Sequence, residues 1–213
     1  MRQANSLADI ELQEKQQGER HVVLILLVKP SDGAGRELLN QLNYFYHLSR
    51  KYCSVYAAGF AKPDQMLLYA DRIKITSVNG SDWWYSDDCF LQVVEQLERR
   101  VSSWRYTGES QLLILQTNPE GRNVLNFQNY IGLDMAHGIR KGYIESAPRL
   151  LTGLINASKK EVSAVAALKQ ANRRIQLKKV AEAGLESCKA ISKPLSKLLK
   201  DRIFYTTAIK KQK

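Results

Sequence analysis

Val22-Val23-Leu24-Ile25-Leu26-Leu27-Val28 is an unbroken apolar run of seven residues, set between Arg20-His21 and Lys29. A membrane span takes about 20 apolar residues, so this run is far too short to cross a bilayer. No polar residue alternates within it, so both faces of the strand it predicts must be covered. Strands of that kind sit in the middle of parallel sheets with helices on either side. The run therefore predicts an α/β fold, and the neighbouring segments fit around it.

Downstream, Lys29-Pro30-Ser31-Asp32-Gly33-Ala34-Gly35 reads as a turn, because Pro and Gly set its backbone angles. A helix is expected from Arg36 to Arg50, with Leu38, Leu42 and Phe45 on one stripe. Ser54 to Phe60 is a second buried-type strand, so strand, helix and strand together form a crossover unit. After a loop over 61–66, Ile73-Lys74-Ile75-Thr76 alternates as a half-exposed edge strand does. Asn79-Gly80-Ser81 then turns the chain into the aromatic cluster Trp83-Trp84-Tyr85.

The clearest helix follows. Phe90, Val93, Val94, Leu97, Val101 and Trp104 fall on one helical face, with Ser86, Asp87 or Asp88 placed to cap it. Gln111 to Gln116 is a third buried strand, and Asn129 to Asp134 a fourth, more polar one. A short helix is expected over Met135 to Lys141, ended by Gly142, and another after Ser146-Ala147-Pro148. Upstream, residues 5–18 predict a polar helix anchored by Leu7, Ile10 and Leu12.

Charge divides the chain in two. Residues 1–158 hold 17 Lys/Arg and 17 Asp/Glu, whereas 159–213 hold 15 Lys/Arg and four acids, which is the whole net charge of +11. The expected organisation is an α/β body over 1–158, with a short, mostly parallel sheet flanked by helices, followed by a basic C-terminal helical extension over 159–213. Residues 160–187 are rich in helix formers, and a shorter helix is expected to run on from Pro194 to about Tyr205. Three scattered cysteines without a CxxC pair point to a reducing, cytoplasmic compartment rather than a disulfide framework. Residues 1–18, with Asp9, Glu11 and Glu14, lack the basic-then-apolar order of a secretion signal.

Several chemistries can be weighed from residue types. The turn containing Asp32, Gly33 and Gly35 follows a strand and opens a helix, where α/β folds bind phosphate, but it lacks the third glycine of a dinucleotide fingerprint and the Lys of a P-loop. Asp134 and His137 would share one face of a helical turn as an acid–base pair, yet Asp134 is equally placed to cap that helix. Asp87-Asp88 could hold a divalent metal, or simply favour the positive end of a helix dipole. No metal-ligand spacing links His21, His47 and His137, no Gly-x-Ser-x-Gly elbow is present, and no cofactor is expected. Cys53 and Cys89 have no neighbouring His and read as small buried hydrophobes. Trp83, Trp84, Tyr85, Trp104 and Tyr106 beside Arg99, Arg100 and Arg105 could stack bases, although Trp104 belongs to the core stripe.

The basic extension is the strongest functional signal. Lys169 with Arg173 and Arg174 with Lys178 stand four apart, Lys179 follows, and Lys189, Lys193, Lys197 and Lys200 recur at helical spacing. Basic helices of this kind track phosphates, so nucleic acid is the expected partner, through backbone rather than base edges. A protein partner for the body completes the expectation of a non-enzymatic adaptor within a multi-protein complex. A membrane role is disfavoured, because the extension's apolar face is sparse. The alternative is a small α/β enzyme acting on a nucleotide or phosphorylated ligand at the strand ends, through Asp32, Gly33, Gly35, Asp134 and His137.

Overall fold

The computed structural model describes residues 1–50, 52–101, 104–160, 166–167 and 204–206, the last by backbone alone. Three parallel strands lie at its centre. They are β1 (Arg2–Ala4), β2 (Val22–Leu27) and β3 (Cys53–Ala58), with β3 inserted between the other two. Every residue of β2 is buried, as its composition requires. The helix α1 (Leu7–Gln17) joins β1 to β2, and α2 (Gly33–Leu39) with α3 (Leu42–Ser49) join β2 to β3.

The chain then extends the sheet antiparallel on both sides. On one side lie β4 (Phe60–Ala61) and the hairpin β5 (Ile73–Val78) and β6 (Ser81–Tyr85), with the one-turn helix α4 (Pro63–Met66) between β4 and β5. On the other lie β7 (Gln111–Gln116), β8 (Ile131–Asp134) and β9 (Phe204–Thr206). The order is β5-β6-β4-β1-β3-β2-β7-β8-β9. Further helices are α5 (Asp87–Arg100), α6 (Met135–Arg140) and α7 (Ala147–Ser158).

Alternation along β3 assigns the helices to faces. Ser54 and Tyr56 reach Gln17 and Glu14 of α1, while Cys53, pointing the other way, meets Ser158 of α7. The helix α5 packs with α1, and α2 and α3 pack with α7, so helices cover both faces. The core runs through both layers and includes Leu24, Ile25, Phe45, Phe90, Trp104 and Leu154.

The expected α/β class with flanking helices is what the chain adopts, but its sheet is mixed rather than mostly parallel. Among the described strands, only the β1–β3 and β2–β3 pairs are parallel. The reason is physical: a strand buried on both faces is uniformly apolar whichever way its neighbour runs, so β2 can pair antiparallel with β7 without any trace in its composition. Other differences are local. Gly33-Ala34-Gly35 belongs to the first turn of a helix, and the helix expected over 36–50 is broken at Asn40-Gln41. Trp83 to Tyr85 is strand, and β1 is too short to carry a periodic signal. Where a helix to Tyr205 is expected, Phe204–Thr206 instead pairs antiparallel with β8. Residues 166–167 are helical with Ala167 buried, and the rest of the basic extension between 168 and 203 lies outside the described residues.

Candidate functional site

The strand β2 ends at the carboxyl edge of its parallel trio, and the turn after it is built by close backbone packing. The Asp32 amide donates to the Lys29 carbonyl at 3.1 Å. A Cβ on Gly35 would sit 2.1 Å from that same carbonyl oxygen, so only glycine fits. Gly33, by contrast, has open space around it. Asp32 occupies the N-cap position of α2 without making a side-chain cap bond; its Oδ2 instead accepts from the Ser110 hydroxyl at 3.2 Å.

Ser110 links that turn to the second site predicted from sequence. Its carbonyl accepts from the Met135 and Ala136 amides at 3.0 and 3.3 Å, which holds the start of α6 against β7. Asp134, the last residue of β8, caps α6 by accepting from the His137 backbone amide at 2.8 Å. The carboxylate thus meets the backbone amide of His137, as an N-cap does. Thr107 Oγ1 donates to Asp134 Oδ2 at 3.4 Å and accepts from Gln111 Nε2 at 3.0 Å. Gln111 is fully buried, and its Oε1 has no partner among the described residues.

More acids crowd the same edge. Lys29 Nζ meets Asp87 Oδ1 at 2.8 Å, and the Tyr85 hydroxyl donates to that oxygen at 2.9 Å. The bond from Lys29 holds the Asp87 carboxyl below its ordinary range. Arg140 grips Glu109 through two 2.7 Å bonds and lowers that carboxyl likewise. Burial pushes the Tyr106 phenol well above its usual range, and the fields of Asp32, Asp87, Glu109 and Asp134 add to the rise. The structure therefore does bring Asp32 and Asp134 to one edge, as the alternative reading requires. Of the four carboxylates there, Asp87 and Glu109 are paired with Lys29 and Arg140, while Asp32 and Asp134 accept from hydroxyls and a backbone amide.

No protein-family model, curated protein or solved structure matches the chain. Its chemistry has to be read from its own side chains.

Three further candidates resolve into structural roles. Cys53 and Cys89 are buried, and burial pushes their thiols up to about 12 and about 11, so neither is a thiolate at neutral pH. Trp83, Tyr85 and Trp104 are core residues and offer no face for stacking; Trp84 is only half-buried. Asp88 and Asp87 sit in the first turn of α5, and no group of three or more His, Cys, Asp or Glu able to hold a metal occurs among the described residues. The expected nucleic-acid contacts Lys169, Arg173, Arg174, Lys178, Lys179, Lys189, Lys193, Lys197 and Lys200 lie outside the described residues.

A further cluster has no counterpart in the sequence reading. Glu14 is completely buried beneath α1. Its Oε1 accepts from the Tyr56 hydroxyl at 2.6 Å, its Oε2 faces His21 Nε2 at 2.7 Å, and Arg2 lies 3.6 Å away. The other His21 nitrogen faces the Glu19 carbonyl at 3.1 Å, so both ring nitrogens meet acceptors. Burial alone would raise the Glu14 carboxyl, but bonds from His21, Tyr56 and Ser54 outweigh it and hold the group below its ordinary value. A signal for it does exist in the sequence: Leu7, Ile10 and Glu14 share a stripe at i, i+3 and i+7, and all three are buried, whereas Leu12 is 56% exposed.

Proposed function

We propose that the protein is a non-enzymatic adaptor whose basic C-terminal segment engages the phosphate backbone of nucleic acid while its α/β body engages a protein partner. The observation that carries this reading is the charge distribution: the body is neutral, and residues 159–213 hold the entire net charge of +11. A concentrated positive segment gains affinity for a polyanion by releasing the counterions condensed on it. The fold adds support. The segment follows α7, and its Phe204–Thr206 pairs with β8, so it is joined to the body at both places.

The body also presents apolar surface suited to a protein partner. Leu67 and Leu68 are 66% and 91% exposed, and Ile73, at the start of the outermost strand β5, is 50% exposed. Large apolar side chains left in solvent favour association with a partner surface.

Binding of the full chain to single- and double-stranded DNA and to RNA, followed by fluorescence anisotropy at 50 and 200 mM salt, tests the nucleic-acid half. The expected result is a steep loss of affinity with salt. Replacing Lys169, Arg173, Arg174, Lys178 and Lys179 by Gln should flatten the slope by about 0.7–0.9 for each phosphate no longer neutralised. Affinity that ignores both salt and these substitutions removes the reading.

A further inference from the structure

Between the end of α3 and the β5–β6 turn lies a cleft of about 390 Å³, lined by Arg2, Tyr46, His47, Ser49, Arg50 and Asn79. That volume lies within the roughly 300–1,000 Å³ range of small-ligand sites. Two arginines and a histidine line the cleft, and among the described residues no Asp or Glu does. A second hollow of about 340 Å³ shares Arg2, Tyr46 and Asn79 with it and adds Lys62, with Asp9 its one acid among the described residues.

The walls are fixed by their own bonds. Asn79 Nδ2 donates to the Tyr46 hydroxyl at 3.2 Å, the His47 ring stands edge-on to Tyr46 at 5.3 Å, and the Ser49 hydroxyl donates to the Phe45 carbonyl at 2.8 Å. Arg2 is partly committed to Glu14 and to the Tyr56 hydroxyl. Arg50 is exposed and makes no hydrogen bond or ion pair with the described residues. Its φ of 31° lies in the left-handed region that non-glycine residues seldom enter. A backbone outlier at an exposed cation on the lip of a cleft is the kind that points to a binding role.

We propose that this cleft binds a phosphate ester, with the Arg50 guanidinium taking the phosphate oxygens and Tyr46 lying beside the attached sugar or base. A guanidinium offers paired N–H donors that match phosphate oxygens. The inference deepens the nucleic-acid reading by placing one phosphate site on the body, but it does not need the basic segment to bind. Two sources share this chemistry, a free nucleotide and a link in a strand.

The test uses the full chain with AMP and with a ten-residue oligothymidylate as probes, titrated at 50 mM salt. At least one probe should bind saturably, and Arg50→Gln and Arg50→Gly should each weaken it by about tenfold or more. Arg50→Gly should also melt at a higher temperature than the parent, because glycine accepts the local φ without strain. Binding of the oligonucleotide alone identifies a strand, and binding of AMP identifies a free nucleotide. Failure of both probes below a Kd of about 1 mM, or equal binding by parent and Arg50 variants, overturns the proposal. Oligonucleotide binding that survives the Arg50 changes but disappears with the Lys169–Lys179 substitutions leaves the adaptor reading intact and removes this one.

Discussion

Glu14 brings a negative charge into the interface between α1 and the sheet, and its three partners come from three different strands or their approaches: Arg2, His21 and Tyr56. Removing one member of a buried ionic group leaves the others uncompensated, at a cost of about 3–5 kcal/mol. Glu14→Gln should therefore lower unfolding free energy at pH 7 by about that amount, measured by urea titration. The sign with pH follows from the depressed carboxyl. Its contribution is present above its ordinary value of 4.5 and is lost as pH falls through the lower value it holds in the folded state. The stability gap between parent and Glu14→Gln should accordingly shrink as pH drops below 4.5. At the same scale, the raised thiols of Cys53 and Cys89 predict that neither reacts with a disulfide reagent at neutral pH until the chain is unfolded.

At the scale of elements, α5 is the best-specified piece of the molecule. Its apolar face is periodic, Asp87 and Asp88 stand at the positive end of its dipole, and Arg99 and Arg100 at the negative end. The Ser86 hydroxyl accepts from the Cys89 amide at 3.0 Å and donates to Asp71 at 2.6 Å, joining the helix start to the loop that precedes β5. Ser86→Ala should cost about 1–2 kcal/mol and lower Tm by roughly 2–6 °C in calorimetry, beyond what a surface Ser→Ala change does. This helix is legible in the sequence because period, cap and charge all agree, although it ends at Arg100, and Trp104, expected on its face, is buried beyond it. The helix expected over 36–50 is not legible as two, since Leu38, Leu42 and Phe45 keep one stripe across the break at Asn40-Gln41 and all three stay buried. A stripe reports which side faces the core and is silent on whether the backbone is continuous.

For the whole molecule, burial ranks the strands. The strands β2, β3 and β7 carry the longest runs of residues with no exposure at all, so amide hydrogen exchange should be slowest over Val23–Leu26, Val55–Ala57 and Leu112–Leu115, and faster in β5. Uniform rates across the sheet would contradict this packing. The same burial explains what the sequence reveals and what it hides. Apolar runs locate β2, β3 and β7, but strand direction is decided by connections, and those leave no mark on a fully covered strand. The candidate site is half legible: Asp32 and Asp134 stand out for their local settings, while Ser110, which brings them to one edge, has no local pattern of its own. Arg50 is invisible in the sequence, because backbone strain is a property of the folded chain. The insertion of β3 between β1 and β2 has a consequence for the nascent polypeptide. The strands β1 and β2 have no ladder to form with each other, and a slot stays open between them until Cys53–Ala58 has been synthesised. Until then the VVLILLV segment is exposed to any chaperone that scans for bare aliphatic stretches.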